Sequence, residues 1–102
     1  MNFNKEKKYI IRTYSAGVWY ANIKEISGTE ATIINARRLW YWSGAASLSQ
    51  MAIEGVKFPD NCKFTMIITD PEGVYLSQVI EILPCSEKAV ESIDSVKVWR
   101  IL

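Results

Sequence analysis

Histidine is absent from all 102 residues, and with it the commonest general base, metal ligand and triad member. A papain-like cysteine has no partner without it, and no GxSxG elbow is present to activate a serine. The five glycines form neither a Walker A nor a GxGxxG pattern. Cysteine is scarce: Cys62 and Cys85 lie far apart and outside any CxxC pairing, which excludes zinc-ribbon and thioredoxin-like chemistry and predicts two reduced, buried thiols. The carboxylates are scattered singly and read as solvated surface. These absences predict a protein that is not an enzyme, with no catalytic residue, no metal and no cofactor.

Long apolar runs are missing too. No uninterrupted run exceeds the four residues Leu39 to Trp42, far below the ~20 that a spanning helix needs. The opening MNFNKEKKYIIRTYS carries charge but no apolar signal-peptide core. A cytosolic protein without a membrane partner is expected. Net charge is also small, at +1, so long-range attraction to nucleic acid is weak and any recognition of phosphate has to be local.

What remains is a globular composition, 49% apolar and 23% charged, in a length that supports one core. The expected organisation is a single domain over 1–102, with 1–7 (around Lys5-Glu6-Lys7) as a flexible N-terminal tail. Lys8 to Tyr14 reads as a strand, Ser15 to Gly17 as a turn, and Val18 to Ile26 as a second strand. Ser27-Gly28 suits a tight hairpin, after which Thr29 to Ala36 returns antiparallel. Trp19 and Tyr20 point to opposite faces, which places one in the core and one at the rim.

The period then changes. Ser47 and Gln50 match a capping box, and Leu48, Met51, Ala52 and Gly55 follow on one helical face, with Gly55 suited to end the helix. Past a Pro59-Asp60-Asn61 turn, Cys62, Phe64, Met66 and Ile68 alternate as the apolar face of a half-buried strand. Asp70 to Gly73 reads as a hairpin loop returning through Val74 to Leu83. Ser86 caps a second helix, EKAVESID, with Cys85 and Val90 as a hydrophobic staple. Val96 to Leu102 is strand-like and is anchored by Trp99. The fold class is mainly β (α+β), a small antiparallel barrel or sandwich with two short helices.

One stretch gathers unusual chemistry. From Ala31 to Ile53 there is no acidic residue, and the only charges are Arg37 and Arg38. Strand alternation puts Arg38, Trp40 and Trp42 on one face and Arg37, Leu39 and Tyr41 on the other, unless a bulge at Arg37-Arg38 exchanges them. An arginine fork suits phosphate, an indole offers a stacking platform, and Gly44 and Ser47 precede a helix N-terminus. The candidate ligand- or partner-binding residues are therefore Arg37, Arg38, Trp40, Tyr41, Trp42, Gly44 and Ser47. Three readings stay open: plain core packing, a surface for a protein partner or self-association, and a pocket for a nucleotide or other anion.

The segments NARRLWYWSGAASLSQMAIEGVKFPDNCKF and VIEILPCSEKAVESIDSVKVW resemble a family of small uncharacterised proteins encoded by bacteriophages and prophages. That family carries an ARRLWYW-G-A-SL-Q block, a P-x-x-C turn and an ILPC segment followed by a short helix and a tryptophan. The resemblance implies context rather than residue roles. It implies a non-enzymatic phage accessory protein in the host cytoplasm, which binds a host protein or a small nucleotide-like ligand. Sequestration of such a ligand would counteract host antiviral defence, and a homo-oligomer is expected because a deep pocket forms most easily between small subunits. A single-stranded nucleic-acid-binding barrel, or a minor virion or assembly component, is the alternative.

Overall fold

The computed structural model describes residues 2–102. Three long strands, β1 (Lys8–Thr13), β2 (Val18–Ser27) and β3 (Glu30–Tyr41), form an antiparallel meander. Helix α1 (Leu48–Glu54), a 3₁₀ turn (Pro59–Asn61) and the short strand β4 (Lys63–Phe64) follow. The chain ends through β5 (Val74–Leu76), β6 (Val79–Pro84) and α2 (Glu87–Asp94). The sheet order is β4-β3-β2-β1-β6, with β5 also on β3. The sheet does not close into a barrel, and the α+β class with two short helices holds.

Both faces of the sheet carry a core, which is why the strands lack a clean polar face. On one face Ile10, Tyr20 and Leu39 pack with Met51 and Ala52 of α1 and Ala89 and Ile93 of α2. On the other, Tyr9, Ile11, Trp19, Ile23, Ile33 and Leu76 pack together. Trp19 and Tyr20 do point to opposite faces, but neither reaches the rim: they are 4% and 1% exposed. A one-sided sheet would have put one of them in solvent.

The helices form as their caps dictate. Ser47 Oγ accepts from Gln50 N at 3.1 Å, and Gln50 Oε1 reaches back to accept from Ala46 N at 2.7 Å. Met51 and Ala52 are buried, with Leu48 packed beside them, and Gly55 ends the helix at φ +81°. Ser86 Oγ accepts from Ala89 N at 3.0 Å. Cys62 and Cys85 are free and buried, and burial pushes the Cys85 thiol up to about 11. A thiol reagent at pH 8 is accordingly expected to leave Cys85 unmodified in the native protein and to label it once denatured, as mass spectrometry would show.

Three expectations change. The residues after Cys62 do not make a half-buried strand followed by a hairpin. Phe64 is opposite Leu39, Ile68 bridges Ala36, and Val74, Tyr75 and Leu76 pair with Ile33, Thr32 and Ala31. Residues 63–76 thus run as one interrupted strand along the outer edge of β3, with Asp70–Gly73 as an outward loop. Met66 and Ile68, expected inside, are exposed. Residues 2–7 are also not a free tail (Met1 lies outside the described residues). Asn4 N donates to Tyr9 Oη at 2.9 Å, Asn22 Nδ2 to Lys7 O at 3.1 Å, and Phe3 packs on the second core. Finally, Val96 to Leu102 forms no strand beyond the Phe64–Val98 bridge and a 2.9 Å bond from Trp99 N to Phe64 O.

Candidate functional site

The end of β3 is oriented by a bulge. Tyr20 opposes Arg37 and Asn22 opposes Ile34, so Asn35 and Ala36 together face Ala21. Asn35 takes φ +52°, a conformation asparagine tolerates better than most residues, and its amide donates to Asn22 Oδ1 at 3.1 Å. The extra residue exchanges faces: Ile33 and Ala36 lie in the same core, and Arg37 and Leu39 turn toward the helices. The bulge sits upstream of the two arginines, so they still diverge as alternation requires.

Arg37 goes inside. It is 3% exposed, and its guanidinium stands over the Phe64 ring at 5.5 Å. Nε donates to Thr65 O at 2.8 Å, Nη1 to Ile93 O at 3.0 Å, and Nη2 to Val96 O. Helix α2 has no basic residue in its own last turn, and Arg37 supplies that positive charge from the sheet. Burial lowers its pKa, while the Asp94 carboxylate opposes the shift. The expected ligand-binding role of Arg37 gives way to a structural one, because its donors are spent on carbonyls that tie α2 to the sheet edge.

Arg38 goes outward. Its backbone is fixed by Thr65, whose Oγ1 accepts from Arg38 N at 2.9 Å and whose N donates to Arg38 O at 3.0 Å. Its guanidinium carbon stands over the buried Trp19 ring, 4.3 Å from the centroid, and Trp19 Nε1 donates to Ala16 O at 3.1 Å. Among the described residues no carboxylate pairs with Arg38 and its guanidinium makes no hydrogen bond; the one ion pair is Arg12–Glu81. Arg38 is half-buried, and none of its unpaired donors is sealed from solvent.

Arg38, Trp40 and Trp42 line one groove of about 300 Å³ together with the Ser15–Gly17 turn. The three residues expected on a common face are thus brought together, although Trp42 follows the end of β3 and packs half-buried on the helix-side core. Tyr41 is 52% exposed and lies outside this groove. Gly44 and Ser47 are elsewhere. A Cβ on Gly44 would sit 2.5 Å from Lys57 N, so its small size serves the close passage of the chain. Ser47 spends its oxygen on the cap of a seven-residue helix. Larger depressions occur elsewhere, but each carries carboxylates: Glu25 and Glu30 in one, Glu6, Glu87 and Glu91 beside Lys7 and Lys8 in another, and Glu54 beside Lys57 and Lys88 in a third, whereas the Arg38 groove is lined by none.

One residue of the site escaped the sequence reading. Trp99, expected to anchor a last strand, lies parallel to Trp40 with an interplanar angle of 4° and centroids 6.3 Å apart. Trp40 is 60% and Trp99 46% exposed. The signal was available: Trp99 sits between Lys97 and Arg100 in a closing segment, 95–102, without an acidic residue. Among the described residues no group of three or more Cys, Asp or Glu is gathered to hold a metal ion, and no helix is long and apolar enough to cross a membrane.

Residues 6–93 match the family model of a domain of unknown function, DUF6948. No curated protein and no solved structure matches the chain.

Proposed function

The chain belongs to the DUF6948 family, and from that premise we propose that it is a non-enzymatic binding protein whose groove captures a small anionic, nucleotide-like ligand. One observation carries the reading: Arg38 is held over Trp19, with its donors unpaired, beside the exposed Trp40. An arginine kept in place over a ring and left without a carboxylate is pre-organised for phosphate, and the adjoining indole takes the face of a base. In this reading the protein is a phage accessory factor of the host cytoplasm that blunts antiviral defence by sequestration. A groove of about 300 Å³ is at the small end for a ligand site, and pairing of two copies would deepen it. The exposed Met66, Ile67 and Ile68 favour a second reading, in which a host protein docks on the outer edge.

A tryptophan-fluorescence titration with a panel of nucleoside phosphates tests the ligand. Quenching that saturates is expected, and Arg38→Ala is expected to weaken it by tenfold or more, since a charge-assisted contact to phosphate contributes about 1.5–3 kcal/mol. Equal titrations of Arg38→Ala and wild type would remove the groove from consideration.

A further inference from the structure

The net charge of +1 conceals a strong separation. Three runs, 31–53, 61–69 and 95–102, contain five of the twelve basic residues and none of the eleven acidic ones. They are distant in sequence, yet the sheet lays parts of them side by side: Phe64 pairs with Leu39, Lys63 with Tyr41, and Val98 with Phe64. The acid-free segments therefore converge on one edge, while the remainder of the chain carries all the negative charge. Of the five cations, Lys63, Lys97 and Arg100 are exposed, Arg38 is half-buried, and only Arg37 is internal.

The same edge presents aromatic faces in the open. Trp40 and Trp99 are parallel and about half exposed. Lys63 Nζ stands 5.5 Å from the Trp99 ring centroid and 6.0 Å from that of Tyr41, so a cation is held between two rings. Alternating rings and cations along an edge is the arrangement that a flexible polyanion with planar bases requires: bases stack on the rings without regard to sequence, and phosphates meet the cations. An acidic peptide would use the charges but leave the parallel indoles without a role.

We propose that the occupant of this edge is a single strand of nucleic acid, its bases stacked on Trp40 and Trp99 and its backbone followed by Arg38, Lys63, Lys97 and Arg100. The inference rests on the reading of the Arg38 groove as a nucleotide-like site and extends it along β4 to the C-terminal segment. The acidic remainder of the molecule repels the backbone elsewhere and restricts binding to this edge.

Fluorescence anisotropy with a labelled oligothymidylate of about eight nucleotides, of the order of one small-domain site, compared with thymidine monophosphate and polyglutamate, tests it. The strand is expected to bind at least tenfold more tightly than the monophosphate. Trp99→Ala should weaken the strand about tenfold or more, and the monophosphate by a smaller factor. Lys63→Gln, a surface change that keeps the fold, should lower the salt slope of strand binding by about one. If the monophosphate binds through Arg38 but the strand binds no better and both variants are silent, the extension is overturned and the groove reading stands. If polyglutamate binds as tightly as the strand, the occupant is an acidic protein and the inference is again overturned. If no nucleotide species binds at all, both readings fall together.

Discussion

Arg37→Ala lowers the melting temperature by roughly 15–30 °C, the largest effect expected of any single substitution in the chain. The guanidinium donates to three main-chain carbonyls, of Thr65, Ile93 and Val96, from a position 3% exposed. Its removal takes the side-chain donor from the Thr65 and Val96 carbonyls, leaves Ile93 O with main-chain donors alone, and withdraws a buried cation from the C-terminal end of α2. Breaking a buried charged network of this kind costs about 3–5 kcal/mol, a large part of the 5–15 kcal/mol that ordinarily holds a domain together. Arg37→Lys should recover part of the loss, because an ammonium keeps the charge at the helix end but cannot reproduce the fork. Thermal unfolding followed by circular dichroism orders the three proteins. If alanine and lysine variants melted with wild type, Arg37 would not be what ties α2 to the sheet.

Gly73→Ala is the second. The chain must return to the edge of β3 after its outward loop, and it does so at φ +82° with no space for a side chain. A Cβ there would lie 2.2 Å from Ile33 O and 2.9 Å from Ile34 Cγ2. The nearest obstacle is backbone, which cannot rotate away. Relief requires β5 to lift from β3, forfeiting the Ile33–Val74 to Ala31–Leu76 pairing. Strain at the left-handed position and overpacking together cost about 3–5 kcal/mol. Gly28→Ala provides the contrast: φ is +59° but nothing lies within 4 Å of the added carbon, so only the conformational cost of about 1–2 kcal/mol applies. Hydrogen exchange should show β5 amides deprotected in Gly73→Ala and unchanged in Gly28→Ala. Retained protection in Gly73→Ala would mean that the loop absorbs the methyl.

The meander and both helices were legible because their signals are local: β-branched runs, a glycine turn, and serines at the caps. The edge strand was misread as a hairpin because Asp70 to Gly73 has the composition of a turn and does form one, with Gly73 N donating to Asp70 O at 2.9 Å. What composition cannot convey is that the chain on both sides of the turn follows the same neighbour. The two-sided core defeated the reading of Trp19 and Tyr20 for a related reason, since alternation separates faces without saying how many are covered. Within the site, alternation correctly divided Arg37 from Arg38. Which of them went inside depended on a bulge at Asn35 and on a helix that needed a cation, both set by tertiary structure. Gly44 and Ser47, grouped with the arginines by proximity in sequence, serve chain passage and helix capping.

Two adjacent arginines have opposite duties: Arg37 ties the helix to the sheet, and the proposed function gives Arg38 to a phosphate. Arginine Nε–H resonances in a ¹⁵N spectrum report each one directly. Arg37 Nε–H is bonded to Thr65 O at 2.8 Å and should be sharp before any addition and unmoved afterwards. Arg38 Nε–H is unpaired and should sharpen and shift as a nucleoside phosphate is titrated, together with the Trp40 indole. An Arg38 resonance that stays unmoved at saturating nucleotide, or one that moves no more than that of Arg37, would contradict the account.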